Sequence, residues 1–83
     1  MQGTVVWYHE ELRLALIERP DGFTVGSVES GELEHGLLVC GSLRTTGLSH
    51  LTVPLTGTSV AFTVEADVPT EGEASELLGF VRD

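Results

Sequence analysis

The side chains able to do metal or acid–base chemistry are few and scattered. His9, His35, His50 and Cys40 are the candidate soft ligands, and a zinc site built from such groups needs short ligand spacings that bring two donors onto one turn or hairpin. No such spacing occurs, so the sequence implies neither a metal nor a cofactor. Serine, histidine and aspartate are all present, but no glycine-flanked nucleophile motif accompanies them. A chain of 83 residues also offers little room for a catalytic pocket. Glu10 and Glu11 form the one pair of adjacent carboxylates. On a strand, neighbours point to opposite sides, so the pair reads as a solvated strand end rather than an acid–base couple. The chemistry available is that of binding, not of catalysis.

Charge narrows the kind of binding. Thirteen Asp and Glu face four arginines, Arg13, Arg19, Arg44 and Arg82, with no lysine, for a formal charge of −9. Affinity for nucleic acid comes largely from cations that displace counterions from phosphates, so this balance disfavours polyanionic partners. The acidic run Glu65, Asp67, Glu71, Glu73 and Glu76 reads as a solvated loop. It would also steer a basic partner, or imitate nucleic acid in a basic protein groove. No apolar stretch approaches the roughly 18 residues that span a bilayer, which gives a membrane role no support. A lone cysteine cannot form an internal disulfide, and residues 1–12 hold no basic stretch followed by an apolar run. Both features suggest a reducing, cytoplasmic setting.

The elements that must position these groups are strands. "GTVVWYH", residues 3–9, is β-branched and aromatic. "LRLALIER", residues 12–19, alternates Leu12, Leu14 and Leu16 against Arg13, Ala15 and Ile17, and "PDG" follows as a hairpin turn. "FTVGSV", residues 23–28, is a third strand, in which Gly26 marks a bend, a bulge or a close backbone approach. Residues 29–36 read as an acidic loop. Residues 37–55 hold two apolar runs around "RTTG", a possible extra hairpin. "TSVAFTVEA", residues 58–66, alternates Val60, Phe62 and Val64 against Ser59, Ala61 and Thr63. The end, "ASELLGFVRD", is a last strand or a short helix. A hydrophobic share of 41% and short strands separated by glycine and proline predict one small all-β barrel over residues 1–83.

"GTVVWYHEELRLALIERPDG" resembles the opening of the cold-shock domain, a five-stranded oligonucleotide-binding (OB-fold) barrel. Gly3, Val5, Trp7 and Ile17 fall in the family register, with Tyr8 at a phenylalanine position. "LTGTSVAFTVEADVPTEGEA", residues 55–74, is similar to the family's penultimate segment. Residues 29–54 do not align and are longer than the family usual. The resemblance implies a five-stranded cold-shock-like barrel with an extended middle, and Val5, Ile17, Val60, Phe62 and Val64 as inward core.

It also implies a nucleic-acid face, and there the sequence departs. The family's second-strand lysine is Leu12, its two stacking phenylalanines are Leu14 and Leu16, and its glycines are Arg13 and Ala15. The first-strand lysine is Val6, the asparagine after the aromatic pair is His9, and the third strand keeps one ring, Phe23. Each stacked base is worth roughly 1–3 kcal/mol, so losing three or four rings removes on the order of 3–10 kcal/mol, enough to take micromolar binding to none measurable.

What remains is a strip of Trp7, Tyr8, Leu12, Leu14 and Leu16, and apolar area of that kind is unfavourable in water at about 25 cal/mol per Å². Either residues 37–55 fold over it, or another protein or a second copy docks on it. The leading expectation is a non-catalytic protein-binding or assembly module using those five residues. The alternative is a weak single-stranded RNA or DNA binder, with Trp7, Tyr8 and Phe23 stacking and Arg13, Arg19 and Arg44 contacting phosphate.

Overall fold

The computed structural model describes residues 1–82, with side chains through Leu77. Six antiparallel strands, β1 (Gln2–His9), β2 (Leu14–Arg19), β3 (Gly22–Ser30), β4 (Leu38–Cys40), β5 (Gly47–Val53) and β6 (Thr58–Val68), precede one helix, α1 (Glu71–Arg82). The strands close in the order β1-β2-β3-β6-β5-β4, with β4 returning to pair with β1. The all-β barrel is therefore as expected. The strand count is corrected from five to six, because the three-residue β4 closes the gap between β1 and β5, meeting β5 at the single pair Cys40 and Thr52.

The alternation read from the sequence decides what is inside. Val5, Ile17, Val60, Phe62 and Val64 are all buried in one core cluster, as a period-two pattern with one solvated face requires. The unaligned middle does not lie over the outer wall. It supplies Val39, Leu51 and Val53 to the core from β4 and β5, and inserts Leu33 and Leu43 from the flanking loops. Thr24 is buried with them, its hydroxyl donating to the Leu43 carbonyl at 2.6 Å.

Three residues stand without an opposite number in their ladders: Val6 on β1, Glu29 on β3 and Glu65 on β6. Each such bulge adds twist and bend, which closure of a small barrel needs. Each also resets which side chains face out. Val5 pairs with Ile17 and faces the core; because Val6 is skipped, Trp7 pairs with Leu16 on the outer wall. Gly26 fulfils two of its expected roles, lying beside the Glu65 bulge and under the core. A Cβ there would stand 2.6 Å from the Phe62 ring and closer still to the Thr63 carbonyl.

Residues 71–82 are helical, and local signals explain it. Thr70 caps the helix, its hydroxyl accepting from the Glu73 amide at 3.2 Å, and Pro69 ends the strand before it. Glu71 and Glu73 sit in the first turn, where carboxylates suit the positive end of the helix dipole. No helix among the described residues is long and apolar enough to cross a membrane.

Candidate functional site

The outer wall of β1, β2, β3 and β6 is the face on which the expected patch would lie. Its apolar end forms a second cluster, Leu16, Val25 and Ala74 buried, with Trp7, Phe23, Ala66 and Val68 packed around them. The cover is α1. Ala74 is small enough to let the helix approach the sheet, and Leu16 is left only 6% exposed. Residues 37–55 take no part in that cover.

The five patch residues therefore separate. Trp7, Leu14 and Leu16 share the outer wall, since Trp7 pairs with Leu16 and His9 with Leu14. Tyr8 pairs with Ala15 and packs against the barrel core, so it belongs to the opposite side, one residue being enough to change face. Leu12 is not on a strand. Residues 10–13 form a turn, allowed by a left-handed Arg13 at φ 56° and by the Leu12 amide donating to His9 Nδ1 at 3.1 Å. Leu12 is 48% exposed at that turn. What stays accessible is a shorter strip, half-buried Trp7 and Leu14 with exposed Leu12, and the His9 ring lies 6.0 Å from the Trp7 ring. Glu10 and Glu11 are exposed in the same turn rather than at a strand end.

The other end of the wall is acidic. Glu29 accepts from the Thr63 hydroxyl at 2.9 Å and from the Ser27 hydroxyl at 3.4 Å, and Glu65 lies 3.5 Å from the same Ser27 hydroxyl. Two carboxylates thus stand together on this wall, around Ser27 and Thr63.

The arginines assigned to phosphate are engaged elsewhere. Arg13 donates through Nε to the Val28 carbonyl at 3.1 Å and through Nη2 to the Gly31 carbonyl. Arg19 has a side chain only 1% exposed and bonds Asp67 through Nη2, with Asp21 3.7 Å from Nε. Its Nε and Nη1 have no hydrogen-bond partner among the described residues. Arg44, on the surface, bridges Asp21 at 2.9 Å and Asp67 at 3.4 Å. Hydrogen bonding from Arg19 holds the Asp67 carboxyl below its ordinary value of 3.8, reinforced by Arg44 against some opposing desolvation. Asp67 is therefore a structural anion and not part of a solvated acidic loop. Phe23 is spent as well, packed with Val68 near α1. Of the six residues that the nucleic-acid reading requires, Trp7 and Phe23 are the rings on the outer wall, and both are half-buried against the Leu16, Val25 and Ala74 cluster.

The histidines do not gather. His35 Nε2 accepts from the Tyr8 amide at 3.2 Å, His9 accepts from Leu12, and His50 is exposed on β5. Among the described residues no group of three potential ligands could hold a metal ion. The sequence missed the arginine–aspartate cluster, although "RPDG" gave a signal: a hairpin turn sets Arg19 and Asp21 side by side. Comparison with known proteins returns no match, since no family model, curated protein or solved structure is significantly similar to this chain.

Proposed function

We propose that this chain is a cold-shock-like barrel used as a non-catalytic protein-binding or assembly module in the cytoplasm. The observation that carries this reading is the commitment of Arg13, Arg19 and Arg44 to carbonyls and carboxylates of their own chain. A wall that has lost its cations and carries Glu29 and Glu65 repels phosphate, yet still offers aliphatic and aromatic area at Trp7, Leu12 and Leu14. The contact strip is accordingly these three residues; Leu16 supports them from beneath α1, and Tyr8 supports them from the core side. Glu10 and Glu11 flank the strip, and each copy of the chain carries −9. The partner is therefore a different polypeptide, neutral or basic at its contact surface, rather than a second copy.

Trp7 is the lone tryptophan and reports directly. Titration with single-stranded DNA and RNA oligonucleotides at low salt is expected to leave its fluorescence unchanged up to high micromolar concentration. Leu12→Asp with Leu14→Asp is expected to release proteins that the parent chain retains. Saturable quenching that weakens with added salt would reverse the conclusion in favour of nucleic acid.

A further inference from the structure

A groove of about 570 Å³ opens between the β3–β4 loop and the β5–β6 hairpin. Its floor is apolar, formed by Leu37, Val53 and Val60, and the barrel core continues beneath it. Leu55 stands on the hairpin side and is 87% exposed, although the hairpin itself is pinned by the Thr56 and Gly57 amides donating to the Val53 carbonyl. An aliphatic side chain held in water beside an apolar floor favours any ligand that covers both.

The facing wall has the opposite character. Glu32 and Glu34 line it and are exposed, and the same two carboxylates continue into an adjoining depression with Glu10, Tyr8 and His35. Arg13 is the cation lining that depression, held by the Val28 and Gly31 carbonyls. Three carboxylates against one guanidinium leave the rim negative.

We propose that this groove binds a cationic polypeptide segment, seating an aliphatic side chain between Leu37 and Leu55 and placing flanking lysine or arginine beside Glu32 and Glu34. The apolar floor selects the anchor, and the carboxylates select the sign of its neighbours. The volume suits one or two side chains rather than a folded domain. A second copy of an acidic chain and any phosphate-bearing ligand are both repelled. The groove uses none of Trp7, Leu12 and Leu14, and Glu10 is the one residue bordering both surfaces, so substitutions at Leu14 and Leu55 test the two separately.

The probe is a fluorescently labelled peptide alternating lysine and leucine, followed by anisotropy against the full chain, with a lysine–serine peptide as the charge-only control. Saturable binding is expected for the first peptide, and much weaker binding for the second. Leu55→Ser, a change at an exposed hairpin position whose folding is checked by circular dichroism, is expected to weaken binding about tenfold. Glu32→Gln with Glu34→Gln is expected to weaken it and flatten its salt dependence. Leu14→Asp is expected to leave it unchanged. Equal binding of the two peptides, or indifference to Leu55→Ser, would reduce the effect to general attraction by an acidic protein. Sensitivity to Leu14→Asp alone would assign the peptide to the Trp7 strip. Either result overturns the groove.

Discussion

Replacing Asp67 with alanine tests how firmly Arg19 is withdrawn from solvent. The Arg19 side chain is 1% exposed and two of its nitrogens already lack partners among the described residues, so removal of Asp67 leaves a buried guanidinium with Asp21 as the carboxylate nearby among them, at 3.7 Å. Breaking a buried pair from one side costs about 3–5 kcal/mol. Asp67 is itself 27% exposed, and Asp21 remains, which brings the expected loss to about 2–3 kcal/mol. For a domain of this size, total stability is on the order of 4–12 kcal/mol, and each kcal/mol moves the midpoint by roughly 4–8 °C. Thermal unfolding followed by circular dichroism should therefore show a fall of about 10–20 °C. Arg44→Ala is the control: Arg44 is 57% exposed, and surface pairs are worth about 0–1 kcal/mol. Arg19→Met combined with Asp67→Leu should recover most of the loss, since a buried pair is replaceable by apolar volume. If Asp67→Ala shifts the midpoint no more than Arg44→Ala does, Arg19 is solvated and free to meet a phosphate.

Three further outcomes follow from the same geometry. Gly26→Ala should destabilise by about 3 kcal/mol or more in urea titration, because the new methyl meets the Phe62 ring and a backbone carbonyl that cannot yield; a loss below 1 kcal/mol would move Gly26 out of the core. Leu16→Asp should prevent stable folding, burying a carboxylate beneath α1, whereas Leu12→Asp should change stability by no more than about 0.5 kcal/mol; matching effects in thermal melts would lift the helix off the sheet. Asp67 has a folded-state pKa lowered chiefly by Arg19, so its contribution is present above the unfolded value near 4 and is lost as pH falls through the folded value. Melting temperature against pH should thus fall more steeply below about pH 4 in the parent than in Asp67→Asn, and coincident acid limbs would contradict the pair.

What was legible in the sequence was whatever depended on period. Val60, Phe62 and Val64 lie inward because strict alternation on a strand with one wet face has one solution. The bulges hid the rest. Val6 carries no mark that distinguishes it from Val5, yet skipping it decides that Trp7 lies outside and Tyr8 inside. Continuous alternation from Leu12 was also too long, because the turn at residues 10–13 uses a left-handed arginine, a conformation that sequence signals assign to glycine or asparagine. The helix was half visible: Thr70 and Glu73 form a capping pattern, but the sheet it would cover could be identified only once Leu16 and Val25 were known to face the same way. Long-range polar pairs were least visible of all, since Arg19 on β2 and Asp67 on β6 are far apart in sequence and meet only across β3, with which both strands pair.

Two separate causes act on the outer wall, and they act in the same direction. Packing seals its apolar end, because an alanine at position 74 admits α1 to the sheet and buries Leu16. Electrostatics governs the rest, because Glu29 and Glu65 occupy bulge positions on the wall while Arg13, Arg19 and Arg44 are tied to Val28, Gly31, Asp21 and Asp67. Lifting the helix would uncover Leu16 and Val25, which are aliphatic and cannot stack on a base. Freeing Arg44 would supply one cation beside two carboxylates. Neither change alone makes a nucleic-acid surface, since stacking and counterion release are needed together. Contact with polypeptide asks for less: an accessible apolar strip and a rim of fixed sign, both of which Trp7, Leu12 and Leu14 beside Glu10 and Glu11 already provide.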